Sequence, residues 1–134
     1  MSAQSTGLRL LCHRDLVSAL ASIPVPCFAF DTSTTRFIAA NARFESLLGY
    51  SGPELSGMTA ESIRPEEDVP IFRKTLAEPM PERFVDARYI RRDGMMLAVK
   101  LHYHRLESVT DDGSGVLARL VVVELWRELE GRRA

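Results

Sequence analysis

The sequence predicts an α+β domain: a five-stranded antiparallel sheet, several short helices, and one flanking helix at the N-terminus. Three observations carry this reading. Two short apolar runs rich in Phe and Ile lie near the start, separated by a polar turn, as in a hairpin. The middle of the chain shows helical spacing repeatedly interrupted by Gly and Pro. The last third changes to a period of two in three long runs. With 134 residues the chain has room for one core.

Leu16, Val17, Leu20 and Ile23 recur at helical spacing, with Asp15 near the start, so Leu8 to Ala21 reads as an amphipathic helix that Pro24 and Pro26 terminate. Cys27 to Asp31 then reads as a short strand. Thr32 to Thr35 forms the turn, and Arg36 to Ala40 the second strand of a hairpin that contains no glycine. Asn41 is placed to cap a helix that buries Phe44, Leu47 and Leu48 and stops at Gly49. Ser51-Gly52-Pro53-Glu54 matches a capping box, because Ser51 and Glu54 can each satisfy an amide at the other's position; this short helix ends at Gly57. A brief helical segment at Thr59 to Ile63 leads to Pro65. Asp68 is expected to cap a longer helix through Ile71, Phe72 and Leu76 up to Pro79.

Arg83 to Arg91, Met95 to Leu106 and Val116 to Leu125 are long strands, joined at Asp93-Gly94 and at Thr110 to Gly115. In the second of them Met95, Leu97, Val99, Leu101 and Tyr103 share one face, and Met96, Ala98, Lys100, His102 and His104 the other. Leu120 to Val123 is apolar at every position, so the last strand is expected to be covered on both sides. The organisation is therefore a flanking helix over residues 1–21, a domain over 22–126, and a charged tail or the start of a linker helix over 127–134.

Hydrophobic residues make up 46% and charged residues 26%, which supports a packed core rather than a disordered tail. Seventeen Lys and Arg against eighteen Asp and Glu give a net charge of -1, which excludes a general polyanion binder, so nucleic acid is not an expected partner. No apolar run reaches about eighteen residues and no secretory signal opens the chain, so neither a membrane nor export is expected and the protein is placed in the cytoplasm. Charge is uneven along the chain. Six acids stand against Arg64 between Glu45 and Asp68, and six bases against three acids between Glu82 and Arg105, which reads as two solvated faces of opposite sign.

The order of elements, together with Ile23-Pro24-Val25-Pro26, Ala40-Asn41-Ala42, Phe44, Leu47-Leu48-Gly49-Tyr50-Ser51, Glu54-Leu55, Gly57 and Pro65-Glu66-Glu67-Asp68, resembles the PAS domain family. Arg88 and Arg91-Arg92-Asp93-Gly94 fit the family's usual place between its third and fourth strands. The resemblance covers Ser22 to Trp126. It departs from the family in the first hairpin, which lacks the usual Gly, and at Glu124-Leu125-Trp126, where Asp-Ile-Thr often closes the last strand. The matching residues are helix caps and stops, so none is carried over as catalytic.

The resemblance implies a sensor whose sheet and helices enclose a pocket for haem, flavin, a carboxylate metabolite or a lipid. The light-oxygen-voltage subclass carries its flavin-reactive Cys in an Asn-Cys-Arg-Phe motif on the small helix, where this chain has Thr59-Ala60-Glu61-Ser62-Ile63. Haem in the family usually hangs from a His on the long helix, and Glu66 to Glu78 contains none. Haem, flavin and metal are accordingly not expected, and a colourless protein is. Cys12 and Cys27 have no neighbouring base to activate them and read as packing residues. His102 and His104 share a strand face with Lys100 and read as surface residues. No carboxylate pair, Ser/His/Asp order or phosphate loop is present, so no catalytic residue is assigned and the chain is not read as an enzyme.

What remains is an apolar interior. Phe44, Leu48, Met58, Ile63, Phe72, Leu76, Leu97, Val99, Leu101 and Val121 read first as packed core and otherwise as the lining of a ligand pocket between the long helix and the sheet, with Arg88, unless solvated, and Tyr103 as polar anchors. Leaving about 100 Å3 of such a pocket vacant costs roughly 2.4 kcal/mol, so side chains or a ligand must fill it. Leu16, Leu20 and Val122 need cover beyond one sheet face and are assigned to a homodimer interface. The expected function is a PAS-type sensory module in signal transduction that binds a small apolar ligand and signals through a homodimer to a downstream domain or protein. The alternative is a ligand-free dimerisation module, and a haem-binding sensor ranks behind both.

Overall fold

A computed structural model of the chain describes residues 8–78, 82–109 and 115–129. The elements follow in the order β1 Leu8–Cys12, α1 His13–Ala21, β2 Cys27–Asp31, β3 Phe37–Ala40, α2 Ala42–Leu48, α3 Gly52–Ser56, α4 Val69–Ala77, β4 Glu82–Ile90, β5 Met96–Val109 and β6 Gly115–Leu129. A 3-10 turn, Glu66–Asp68, precedes α4. The turn expected at Thr110 to Gly115 falls, but for Gly115, outside the described residues, as do residues 130–134 of the expected tail.

Five strands, β2 to β6, pair antiparallel as expected, in the order β3-β2-β6-β5-β4. A sixth strand is added at the start. The expected N-terminal helix begins only at His13; Leu8–Cys12 pairs parallel with β5 instead. The reason lies in the length of β5. Its 14 residues outrun β4, which pairs as far as His104, so the edge from Leu106 to Val109 would be left bare without β1. The segment expected as a tail from Arg127 likewise continues β6, where Arg127 pairs with Ala98 and Leu129 with Met96.

The sheet has two apolar faces. Phe28, Phe30, Tyr89, Leu97, Val99, Leu101, Tyr103, Val121 and Val123 point inward, against Phe44 and Leu48 of α2, Leu55 of α3 and Phe72 of α4. Cys27, Ala29, Leu106, Ala118 and Leu120 point the other way, against Leu16 and Leu20 of α1. The continuous apolar runs of β2 and β6 follow from this burial on both faces. It also corrects the assignment of Leu16 and Leu20 to a dimer interface. Their exposures are 0% and 1% within a single chain, because α1 folds back onto its own sheet, and half-buried Val122 packs against the same cluster.

Caps fix the short helices. Asn41 accepts at α2 from the Phe44 amide at 3.0 Å, and Gly49 closes that helix at φ 85, a left-handed conformation that needs no Cβ. Ser51 and Glu54 complete the expected box: the Ser51 amide donates to Glu54 Oε1 at 2.8 Å, and the Glu54 amide to Ser51 Oγ at 3.2 Å. Those bonds hold the Glu54 carboxyl below its usual range. Two expectations differ. Thr59 to Ile63 forms turns closed by Ser62 N to Thr59 O and Arg64 N to Glu61 O rather than a helix, since Pro65 stops propagation. Asp68 occupies the N-cap position of α4 without a side-chain capping bond, because its carboxylate is engaged elsewhere. In the glycine-free hairpin Thr35 takes φ 61, the position where a glycine would be unstrained. Among the described residues no helix is long and apolar enough to cross a membrane.

The Asn41 side chain is 5% exposed and also serves beyond its helix, so its loss should cost more than that of an ordinary exposed cap. Asn41→Ala is expected to lower stability by about 3 kcal/mol, against about 1 kcal/mol for Ser51→Ala, as unmet buried donors dominate the difference. Phe44→Ala, which opens the inner core, is expected to cost about 3 to 5 kcal/mol. Urea denaturation of the three variants gives the order; a Ser51→Ala midpoint lowest of the three would contradict it.

Candidate functional site

Between α4 and the sheet lies a partly open cleft of about 450 Å3, lined by Phe72 of α4, Val85 and Arg88 of β4, Val99 and Tyr103 of β5, and Trp126 of β6. Of the expected pocket lining, Phe72 and Val99 face it. Phe44, Leu48, Ile63, Leu97, Leu101 and Val121 are instead packed solid beside it, and Met58 and Leu76 sit at the margin of the same core. Aromatic rings account for the filling. Phe28 and Phe44 lie 4.6 Å apart, Phe28 and Phe37 5.1 Å, Phe30 and Phe72 5.9 Å, and Phe44 and Tyr89 6.3 Å, a contiguous set that occupies the inner face of β2, while the cleft opens toward β4.

The two expected anchors part ways. Arg88 donates from Nε to Asp68 Oδ2 at 2.9 Å and from Nη2 to Asp68 Oδ1 at 2.7 Å, with Glu67 at 3.5 Å and the Met96 sulfur at 3.7 Å. This bidentate pair ties the start of α4 to β4, and the Asp68 carboxylate holds the guanidinium above its ordinary pKa. Arg88 therefore clamps the rim of the cleft. Tyr103 is turned inward at 1% exposure, and its hydroxyl accepts from Arg64 Nη2 at 3.1 Å.

Arg64 is the residue that sequence reasoning missed. It is 7% exposed, lies in the turn before α4, and lines the cleft. Its guanidinium carbon stands 4.0 Å from the Phe72 ring centroid and 5.4 Å from that of Tyr89. Buried in this cluster, Arg64 Nε and the Tyr89 hydroxyl have no hydrogen-bond partner among the described residues. The sequence held one signal: Arg64 is the single base among six acids between Glu45 and Asp68. Those acids do not form a solvated face on their own. Asp68 and Glu67 pair with Arg88, Glu54 with Arg92 and Glu61 with Arg73, so much of the acidic segment is neutralised by the basic strands and α4. None of these pairs includes Arg64.

The other candidate groups lie away from the cleft. Cys27 faces the outer core, where burial pushes its thiol up to about 11 and its Sγ lies 3.8 Å from the Leu20 carbonyl. His102 stacks on Phe84 at 4.4 Å and approaches Glu124 at 3.5 Å. No group of three or more metal-ligating side chains occurs among the described residues.

The model of the PAS fold matches residues 14–122, and the chain belongs to that family. No curated protein matches at the sequence level. Among solved structures, the PAS domain of an HTR-like protein from Haloarcula marismortui superposes with TM-score 0.66 at 20% identity, over 84% of this chain and 89% of that one. A domain of a sensory box sensor histidine kinase/response regulator from Geobacter sulfurreducens gives 0.62 at 18%, over 83% and 92%. A LOV protein of Rhodobacter sphaeroides gives 0.67 at 14%, over 84% and 65%. At these identities the likeness is one of fold.

The raised Cys27 pKa has a signed consequence. As pH rises from about 9 toward 11 the unfolded chain gives up this proton while the folded chain keeps it, so the unfolded state binds fewer protons and stability falls with pH. Burial moves the Tyr89 phenol in the same direction. The urea midpoint is expected to decline from pH 8.5 to 10.5, by on the order of 2 kcal/mol in stability from the thiol. Cys27→Ala should flatten that decline whatever its effect at neutral pH; an unchanged slope would refute the assignment.

Proposed function

We propose that this PAS domain is a sensory module in signal transduction, that it takes a small, largely apolar molecule into the cleft between α4 and the sheet, and that it reports through a homodimer to a downstream domain or protein. The carrying observation is the cleft itself, about 450 Å3 beside a packed cluster of buried apolar residues. Apolar walls with a few convergent polar groups are the usual form of a small-molecule site. The reading includes a cytoplasmic protein that is not an enzyme, holds no haem, flavin or metal, and binds neither nucleic acid nor membrane.

A second reading, a ligand-free dimerisation module, is favoured by Phe84 and Trp126, which are 71% and 70% exposed on the strands beyond the reach of α1. Since Leu16 and Leu20 are covered within the chain, a dimer on either reading uses surface such as this.

Native mass spectrometry of the purified protein, set against its denatured mass, tests the first reading. A non-covalent adduct is expected on the intact chain and should disappear in Val85→Trp, which fills the cleft from β4. An adduct-free dimer would favour the second reading, and a haem or flavin absorption band stoichiometric with protein would overturn the expected ligand class. By light scattering the intact protein should have the mass of two chains; a single-chain mass at high concentration would remove the homodimer from both readings.

A further inference from the structure

We propose that Arg64 is the anchor for the carboxylate of an organic acid whose apolar body lies in the cleft, an inference that rests on the ligand-binding reading above. The argument is an imbalance of hydrogen-bonding groups. Around Arg64 donors outnumber free acceptors: among the described residues Arg64 Nε and the Tyr89 hydroxyl are buried without partners, and the Tyr103 hydroxyl already accepts from Arg64 Nη2, leaving its own proton to give. Buried polar groups in folded proteins are nearly always paired, so this cluster is incomplete as it stands.

Charge points the same way. No carboxylate lies within 4 Å of the Arg64 guanidinium among the described residues: of the acids flanking it in sequence, Glu61 is bonded to Arg73 and feels Arg64 only through space, Glu67 and Asp68 are engaged by Arg88, and Glu66 forms no ion pair with it. The aromatic faces of Phe72 and Tyr89 offset part of the cost of burying the cation, but they supply no acceptor in its plane. A second buried arginine, Arg119, places its guanidinium carbon 6.0 Å from the Tyr103 ring on the same face of the sheet and leaves Nη1 unpartnered. A neutral acceptor would satisfy the donors yet leave the charge uncompensated; a carboxylate does both, and the planar guanidinium fork matches its geometry. Phe72, Val99 and Trp126 then wall the remainder of the cleft, which sets the apolar part of the ligand.

Octanoate and 1-octanol are a matched pair of probes that differ in the charged group, and Trp126, the only tryptophan of the chain, reports from the wall of the cleft. Titrated into the intact protein and followed by tryptophan fluorescence, octanoate is expected to bind about tenfold more tightly than 1-octanol, as a charge-assisted bond replaces a neutral one. Arg64→Met should bring the ratio to about one and raise the melting temperature, since an unpaired buried charge is removed. Arg64→Lys should keep a preference for octanoate. A role confined to packing predicts the opposite pattern, a lowered melting temperature in Arg64→Met with the ratio unchanged, and that result would overturn the proposal. Equal affinities in the unaltered protein would also sink it while leaving the cleft as a ligand site; no response to either probe would remove the cleft and the anchor together. Should Arg64→Met fail to fold, Tyr103→Phe takes its place: a several-fold loss for octanoate alone supports the anchor, and an unchanged octanoate affinity refutes it.

Discussion

The carboxamide of Asn41 joins three parts of the chain. Its oxygen accepts from the Cys27 amide at the start of β2 and from the Phe44 amide in the first turn of α2. Its nitrogen donates to the carbonyls of Leu20, Ile23 and Val25, which lie at the end of α1 and along the Pro-containing link into β2. Only an amide can do this, because the site needs an acceptor on one side and a donor on the other; aspartate lacks the donor and serine the reach. Because the group is buried, each bond closes a backbone position that would otherwise be costly to hide. The end of α1, the start of β2 and the start of α2 are thereby held in one relation, and α1 is turned back onto the outer face of its own sheet.

From that constraint the two cores follow. With α1 in place, the outer face of β2, β5 and β6 is covered by Leu16 and Leu20, and the inner face is left to the helices that follow Asn41. The aromatic residues of β2 then decide where space remains. Phe28 and Phe30 carry a chain of ring contacts out to Phe37, Phe44 and Phe72, and this fills the inner face near the hairpin. Farther along the sheet α4 is held to β4 by the Arg88–Asp68 pair at its first turn rather than by continuous packing, and the cleft opens there. Ion-pair clamping and open volume are thus two sides of one arrangement: a helix pinned by its end need not be buried along its length.

Much of this was legible in the residues. The period of two in Leu97, Val99, Leu101 and Tyr103 gave their common inner face, and Ser51-Gly52-Pro53-Glu54 gave a helix start whose bonds are local. Local chemistry and simple periodicity are readable because they involve residues a few positions apart. What sequence could not supply was competition over distance. Asp68 fits a capping pattern, yet Arg88, twenty positions away, takes its carboxylate with two charge-assisted bonds that outweigh one cap. Leu8 to Cys12 fits a helix, yet the bare edge of β5 offers a ladder that short-range spacing does not report. The division of the apolar residues between core and cleft was hidden in the same manner, since a list of apolar residues does not say which rings meet and which leave a gap.

Arg64 shows the limit most clearly, and also why the limit matters for function. By sequence it is the lone base of an acidic stretch, the ordinary partner for any of its neighbours. In the fold those neighbours are drawn outward to Arg73, Arg88 and Arg92, and Arg64 turns inward under Phe72 toward Tyr103. The exchange is unfavourable for stability alone, because a buried guanidinium beside a neutral phenol recovers less than one beside a carboxylate. Departures of this kind from local consistency concentrate where a protein is built to meet something other than itself. The cleft beside Arg64 supplies the place for that meeting, and the clamp to Arg88 keeps the Asp68 carboxylate, on the cleft wall, from closing it.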